Sequence, residues 1–208
     1  MNPRIALALL VVGVVALAAI VLAANGGGSE EPEPTAGDNT FAGASMPEGL
    51  FAPDFELRNQ EGEHVSMRAL RGRPVVVTFL YTHCEDSCPI QAQTVRGALD
   101  QLGHDVPALA IAVDPPNDTP QSARKFLAEQ RVNGRIDFVL GSRADLRPVW
   151  RGFGVRPQRV TEEHSARITL VDPRGIQRVG YPGPEATPER LAHDLRLLER
   201  DAADSPTS

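Results

Sequence analysis

Residues 74–103 read PVVVTFLYTHCEDSCPIQAQTVRGALDQLG, and this stretch decides the fold. Its first part, PVVVTFLY (74–81), is a continuous β-branched and apolar run, the pattern of a strand covered on both faces. Its last part spaces Ile90, Val95, Ala98, Leu99 and Leu102 as a helical stripe, with Pro89 in a first turn and Gly103 placed as a C-terminal cap. Between them lie the two cysteines of the chain, Cys84 and Cys88. A buried strand that passes through a short turn into a helix opens a parallel α/β unit, and sites on such sheets form at that turn.

Working outward, the same grammar repeats. PALAIAVDP (107–115) is a second buried strand, and DTPQSARKFLAEQRVNG is a helix with Thr119 as N-cap, Pro120 at its first position and Gly134 beyond its end. IDFVLG gives a third strand. SRADLRPVWRGFGV has helical spacing, but Pro148 argues against a regular interior, so a late start with Asp145 as cap is expected. SARITLVDPRGIQRVGYPG reads as a hairpin around DPRG, and TPERLAHDLRLLER as a closing helix capped by Thr187, with Leu191, Leu195 and Leu198 inward. Upstream, APDFELRNQEGEHVSM alternates around QEG, a further hairpin with strands near Phe55 and Val65. The order is βαβα, then ββα. It predicts an α/β domain of thioredoxin-like layout: a central mixed sheet flanked by helices, with an N-terminal β-hairpin extension.

The ends read differently. Residues 5–24, IALALLVVGVVALAAIVLAA, form an uncharged apolar run, long enough at about 1.5 Å per residue to cross a bilayer core of about 30 Å. It exceeds the apolar stretch of about 7–15 residues in a cleavable signal peptide. Residues 1–24 are therefore expected to be an uncleaved transmembrane anchor. Arg4 precedes the run, while Glu30, Glu31, Glu33 and Asp38 follow it with no Lys or Arg from 25 to 57. This asymmetry puts the body of the chain on the extracytoplasmic side of the cell membrane. Residues 25–48 are expected to be a flexible Gly/Pro/Glu linker, 49–200 the folded domain, and 201–208 a disordered tail. The formal net charge of −6, without a basic patch, argues against a nucleic-acid partner.

Three readings compete for Cys84 and Cys88, which lie four apart and so on one face of a helical turn. A purely structural disulfide closing so short a loop constrains the unfolded chain little. A dithiol redox pair would draw on a helix N-terminus to favour thiolate, although the spacing is not that of an ordinary thioredoxin. A soft-metal site would use two thiolates, which favour Cu(I), with an imidazole as third ligand. Of the five histidines, His64 and His193 fall on solvated patterns, His104 suits a helix-end role, and His83 a structural or supporting one. His164, in VTEEHSA just before the last hairpin, belongs to a loop that a thioredoxin-like sheet brings beside the cysteine turn.

The segments FLYTHCEDSCP, VDPPNDTP and EEHSARITLVDPRG, in that order and spacing, resemble the Sco/SenC family from residue 50 to about 198. The resemblance implies a membrane-anchored, thioredoxin-like protein that binds one copper ion, Cu(I) or Cu(II). It implies Cys84, Cys88 and His164 as the metal ligands, and delivery to the dinuclear copper centre of cytochrome c oxidase subunit II. Asp86 matches an acidic position between the family's cysteines, and Asp114 falls in the matching Val-Asp-Pro segment, with a loop-shaping role. Glu85 stands where the family often has proline, and Asn117 where it often has arginine; neither change removes a ligand. The rival is a thiol-disulfide oxidoreductase acting on the acceptor's cysteines through Cys84 and Cys88. No copper donor is identifiable from the chain.

Overall fold

The computed structural model describes residues 40–156, 167–182 and 185–203. In chain order the elements are β1 (Ala44–Ser45), β2 (Glu56–Arg58), β3 (His64–Ser66), β4 (Val75–Leu80), α1 (Ser87–Leu102), β5 (Ala108–Ala112), α2 (Pro120–Glu129), β6 (Asp137–Val139), α3 (Arg143–Gly152), β7 (Arg167–Val171), β8 (Gln177–Pro182) and α4 (Pro188–Ala203). Six strands form one sheet in the order β1-β8-β7-β4-β5-β6. β4, β5 and β6 are parallel, β7 and β8 antiparallel.

Residues of β4 and β5 are buried throughout, as expected of central strands covered on both faces. Parity along the strands sorts the helices. Thr78 shares a face with Ala110, Phe138, Ile168 and Tyr181 through the cross-strand registers. On that face Thr78 meets Gln91 of α1, Phe138 meets Phe126 of α2, and Tyr181 meets Asp194 of α4. The opposite face carries α3: the Trp150 indole N–H donates to the Ala112 carbonyl at 2.9 Å, and Phe79 packs edge-on against Phe153 at 5.4 Å.

The outermost strands are the short β1 on one side and β6 on the other. β1 pairs with β8 through Ala44–Gly180 and Ser45–Val179. At the other side the β2–β3 hairpin lies against the end of β6, with the Leu140 N–H donating to the Arg58 carbonyl at 2.8 Å. The folded domain thus begins by Thr40, earlier than the expected start at 49. The cause is Asp194, fully buried on α4, whose carboxylate accepts from the Ala42 and Gly43 N–H groups at 2.7 and 3.0 Å and from the Tyr181 hydroxyl. A charged acceptor with three donors outweighs the linker-like composition of this segment.

Other boundaries also move. α3 starts at Arg143 with Ser142 as N-cap, and Asp145 is the third residue of a capping box, not the cap itself. The reciprocal cap and the burial of Leu146, Val149 and Trp150 offset the hydrogen bond that Pro148 cannot donate. α4 continues to Ala203, so the expected tail at 201–208 is helical in its first part; Asp201 reaches Arg178 at 3.7 Å. Ile90, expected on the buried stripe of α1, is 64% exposed. The inward positions are Cys88, Gln91, Ala92, Thr94, Val95, Ala98 and Leu99, and at 100° per residue Ile90 points to the far side. Gly103 ends α1 in the left-handed region at φ 73° and returns its N–H to Leu99, as expected. The apolar run 5–24 lies outside the described residues; among those described, no helix is long and apolar enough to cross a membrane.

Candidate metal centre

β4 and β5 are parallel, so both release the chain at the same end of the sheet. β4 leads into the loop that carries Cys84, and β5 into residues 113–119, with the Val113 N–H still bonded to the Leu80 carbonyl at 3.1 Å. The two loops are stitched together by one carboxylate. Asp118 accepts from the Thr82 N–H at 2.8 Å and from the Asp114 N–H at 2.9 Å. Asp114 in turn accepts from the Asn117 side chain at 2.8 Å, the loop-shaping part expected of it. Asp118 is buried, and that burial pushes its carboxyl up to about 6 despite the two N–H donors.

The cysteines sit where the first loop becomes α1. Cys84 is 7% exposed and Cys88 fully buried, and both are free thiols. The N-cap of α1 is Asp86, yet its side chain makes no capping bond. Instead the Cys88 N–H donates to the Cys84 sulfur at 3.2 Å. The sulfur occupies the role that a serine or aspartate oxygen fills at most helix starts. The Ser87 hydroxyl lies 3.7 Å from the same sulfur. Hydrogen bonding from the Cys88 thiol, aided by the Cys88 N–H and Ser87 and opposed by burial, brings the Cys84 thiol down to about 5. The same bond and burial push the Cys88 thiol up. The pair is therefore unequal: Cys84 is the more acidic and slightly exposed thiol, Cys88 the less acidic and fully buried one. Two adjacent soft donors suit a thiophilic ion such as Cu(I) in preference to a hard cation.

The histidines divide clearly. His64 pairs with Glu56 at 3.3 Å on the exposed hairpin. His104 bonds the Leu102 carbonyl at 3.1 Å and Glu199 at 2.6 Å, a helix-end role as expected. His83 is exposed, its Nδ1 3.1 Å from the Thr82 hydroxyl. His193 corrects the expectation of a solvated side chain: it is 9% exposed and its Nε2 bonds the Thr40 carbonyl at 3.1 Å, because the segment before β1 folds over it. His164 lies outside the described residues. The chain re-enters the sheet at Arg167, with Ile168 opposite Thr78, at the end from which the cysteine loop emerges. Among the described residues, no three His, Cys, Asp or Glu side chains gather as a metal cage. Asp118 was missed in the sequence; the one available signal was a second aspartate in the loop that already held Asp114.

A family model described as SCO1/SenC matches residues 44–199. The chain is 28% identical over 144 residues to the SCO1 protein homolog of Bacillus subtilis, covering 64% of this chain and 75% of that protein. It is 30% identical to the copper-bound ScoI structure from Bradyrhizobium japonicum, covering 70% of this chain and 98% of that one with a TM-score of 0.59. It also superposes with a TM-score of 0.65 on BsSco, described as a member of the Sco family of cytochrome c oxidase assembly proteins with a disulfide switch; identity is 24% over 78% of this chain and 99% of that one.

Proposed function

The chain belongs to the SCO1/SenC family, and from that premise we propose that it is a membrane-tethered copper chaperone. The family's proteins take part in cytochrome c oxidase assembly, and its solved members include copper-bound forms. In the reading proposed, Cys84 and Cys88 hold one copper ion as thiolates and His164 supplies an imidazole. The cargo passes to the dinuclear centre of cytochrome c oxidase subunit II. Residues 1–24 anchor the chain in the cell membrane and 25–39 tether an extracytoplasmic domain, raising its effective concentration near a membrane-bound acceptor.

The observation that carries this reading is the pair of free cysteines at the start of α1, with the Cys88 N–H donating to the Cys84 sulfur at 3.2 Å. Cys84 is the entry ligand, since it is the more acidic and the less buried of the two. Cys88, buried behind it, gives up its proton when a cation replaces the hydrogen bond between the two. A site with three protein ligands leaves a side open to an incoming thiolate, so the cargo leaves by ligand exchange. Copper loading of Cys84→Ala, Cys88→Ala and His164→Ala proteins tests this: each is expected to lose the bound ion or hold it much more weakly. Loading equal to the parent in any one of them removes that residue from the site.

The unequal acidity of the two thiols favours a second reading, a thiol-disulfide oxidoreductase in which Cys84 attacks an acceptor disulfide and Cys88 resolves the mixed disulfide. That activity needs both cysteines and not His164. Reduction of an acceptor disulfide that survives His164→Ala and disappears in Cys84→Ala selects it.

A further inference from the structure

Cys84 sits in a loop with little of its own to hold it. The Cys84 N–H reaches back to the Tyr81 carbonyl at 3.3 Å, and the first turn of α1 has no side-chain cap beyond the cysteine sulfur. The firm point lies across the gap. Asp118 immediately precedes Thr119, the N-cap of α2, whose capping box with Ser122 is complete. The Ser122 hydroxyl also donates to the Asn117 carbonyl at 2.8 Å. From this base the two Asp118 oxygens each take one backbone N–H, one from its own loop and one from Thr82. Thr82 adds a longer contact of its hydroxyl to the Asn117 carbonyl at 3.5 Å.

We propose that Asp118 is a positioning residue for the metal centre: through the Thr82 N–H it ties the cysteine loop to the capped start of α2 and so fixes where the Cys84 sulfur stands. The inference rests on the copper reading for its purpose, but not for its geometry. Two features set Asp118 apart from ordinary loop packing. It is 6% exposed, and among the described residues no cation stands within ion-pairing distance of it. A buried carboxylate without a cation is costly, and a neutral side chain would be the cheaper filler. Its environment also presents two donors and asks for two acceptors. Asparagine brings one acceptor and turns its NH₂ against the other N–H. The carboxylate is therefore matched to bridging two loops, which bulk alone does not require.

The test uses the full chain in detergent with the cysteines reduced, as Asp118→Asn, the milder change, and Asp118→Ala. A control, Val171→Ala, disturbs the buried core beside Val75, at the end of β4 opposite the cysteine loop. In metal-free protein the Thr82 amide is expected to exchange at least about tenfold faster in the Asp118 variants. Alkylation of Cys84, at a pH where its thiolate is fully formed, is expected to change by about threefold or more. Cu(I) affinity, measured by competition with a chromophoric chelator, is expected to fall about tenfold. The Val171→Ala protein is expected to lose thermal stability while keeping parental alkylation and affinity. If Asp118→Asn loses stability like the control but keeps alkylation and affinity within twofold of the parent, the residue is merely structural and the proposal is overturned. Should Asp118→Ala not fold, Asp118→Asn decides; should neither fold, rapid exchange of the Thr82 amide in the parent overturns the proposal and strong protection supports it. If the parent itself binds no Cu(I), the copper reading falls, and the alkylation and exchange arms alone decide whether Asp118 positions Cys84.

Discussion

Cys84 is expected to behave as an acid thiol, and the pH at which it reacts is the measurement to make. Its ordinary value is 9.0, and the hydrogen bond from Cys88 brings it to about 5. At about pH 5.5 such a group is ~75% thiolate and an ordinary cysteine ~0.03%, a difference of about 2,400-fold. The gain is partly cancelled, because a thiolate of lower pKa is a weaker nucleophile. With a Brønsted slope of about 0.4–0.5, the drop from 9.0 to about 5 reduces intrinsic reactivity about 60-fold. The net expectation is alkylation about 40-fold faster than a free cysteine near pH 5.5, shrinking to about twofold near pH 7. A single rate at neutral pH would therefore miss the effect. The assay is iodoacetamide labelling of the reduced, metal-free protein from about pH 4 to 10, with each cysteine quantified by mass spectrometry. Cys84 is expected to reach its plateau well below neutrality, while Cys88, fully buried, labels slowly throughout. Cys88→Ala removes the thiol donor but keeps the N–H at 3.2 Å, so the Cys84 midpoint should rise towards the ordinary value. A Cys84 midpoint above about 8 in the parent protein refutes the sulfur-capped arrangement.

Asp194→Ala removes the acceptor of three hydrogen bonds and strands the buried Tyr181 hydroxyl; at about 1.5–3 kcal/mol for a bond to a charged group, about 3 kcal/mol or more of stability should be lost in urea denaturation. Gly43→Ala would put its Cβ 2.5 Å from Val179 and 2.6 Å from Tyr181, so it should release the segment before β1, seen as loss of amide protection at Ala42 and Gly43. Trp150→Phe deletes the 2.9 Å bond to Ala112 and leaves that carbonyl buried; a loss of about 1–3 kcal/mol is expected. Asp118 is raised from 3.8 to about 6: the folded state holds its proton more tightly than the unfolded one, so its contribution is full below about pH 4 and declines as pH rises through about 6, by about 3 kcal/mol in total. Carboxyl NMR should give a midpoint near 6 for this residue, and a midpoint at or below 4 would show the burial argument to be wrong.

Much of the scaffold was legible because the residues repeat one instruction. The apolar run 75–80 cannot be anything but a covered strand, and Thr119, Pro120 and Gly103 mark helix ends by local chemistry alone. Several of the differences share a cause, a partner far along the chain. His193 reads as solvated until Thr40 arrives to cover it, and residues 40–46 read as linker until Asp194, about 150 positions away, claims their N–H groups. Asp118 carries no signature of its own, because its meaning lies in the Thr82 amide across a gap between two loops. Ile90 differs for a local reason: it is apolar and close in sequence to the inward stripe of α1, but its angular position turns it to solvent. At the candidate metal centre, the sequence offers the cysteines as a pair of equals, and only their geometry separates donor from acceptor.

The two-residue strand β1 has a practical meaning for anyone shortening this protein. Cutting at residue 49, where the composition changes, would strip β8 of its outer neighbour. A bare row of amides and carbonyls would then face solvent, an invitation to edge-to-edge self-association. Fragments that retain everything from Thr40 onward should stay monomeric, and those that start later should aggregate on concentration.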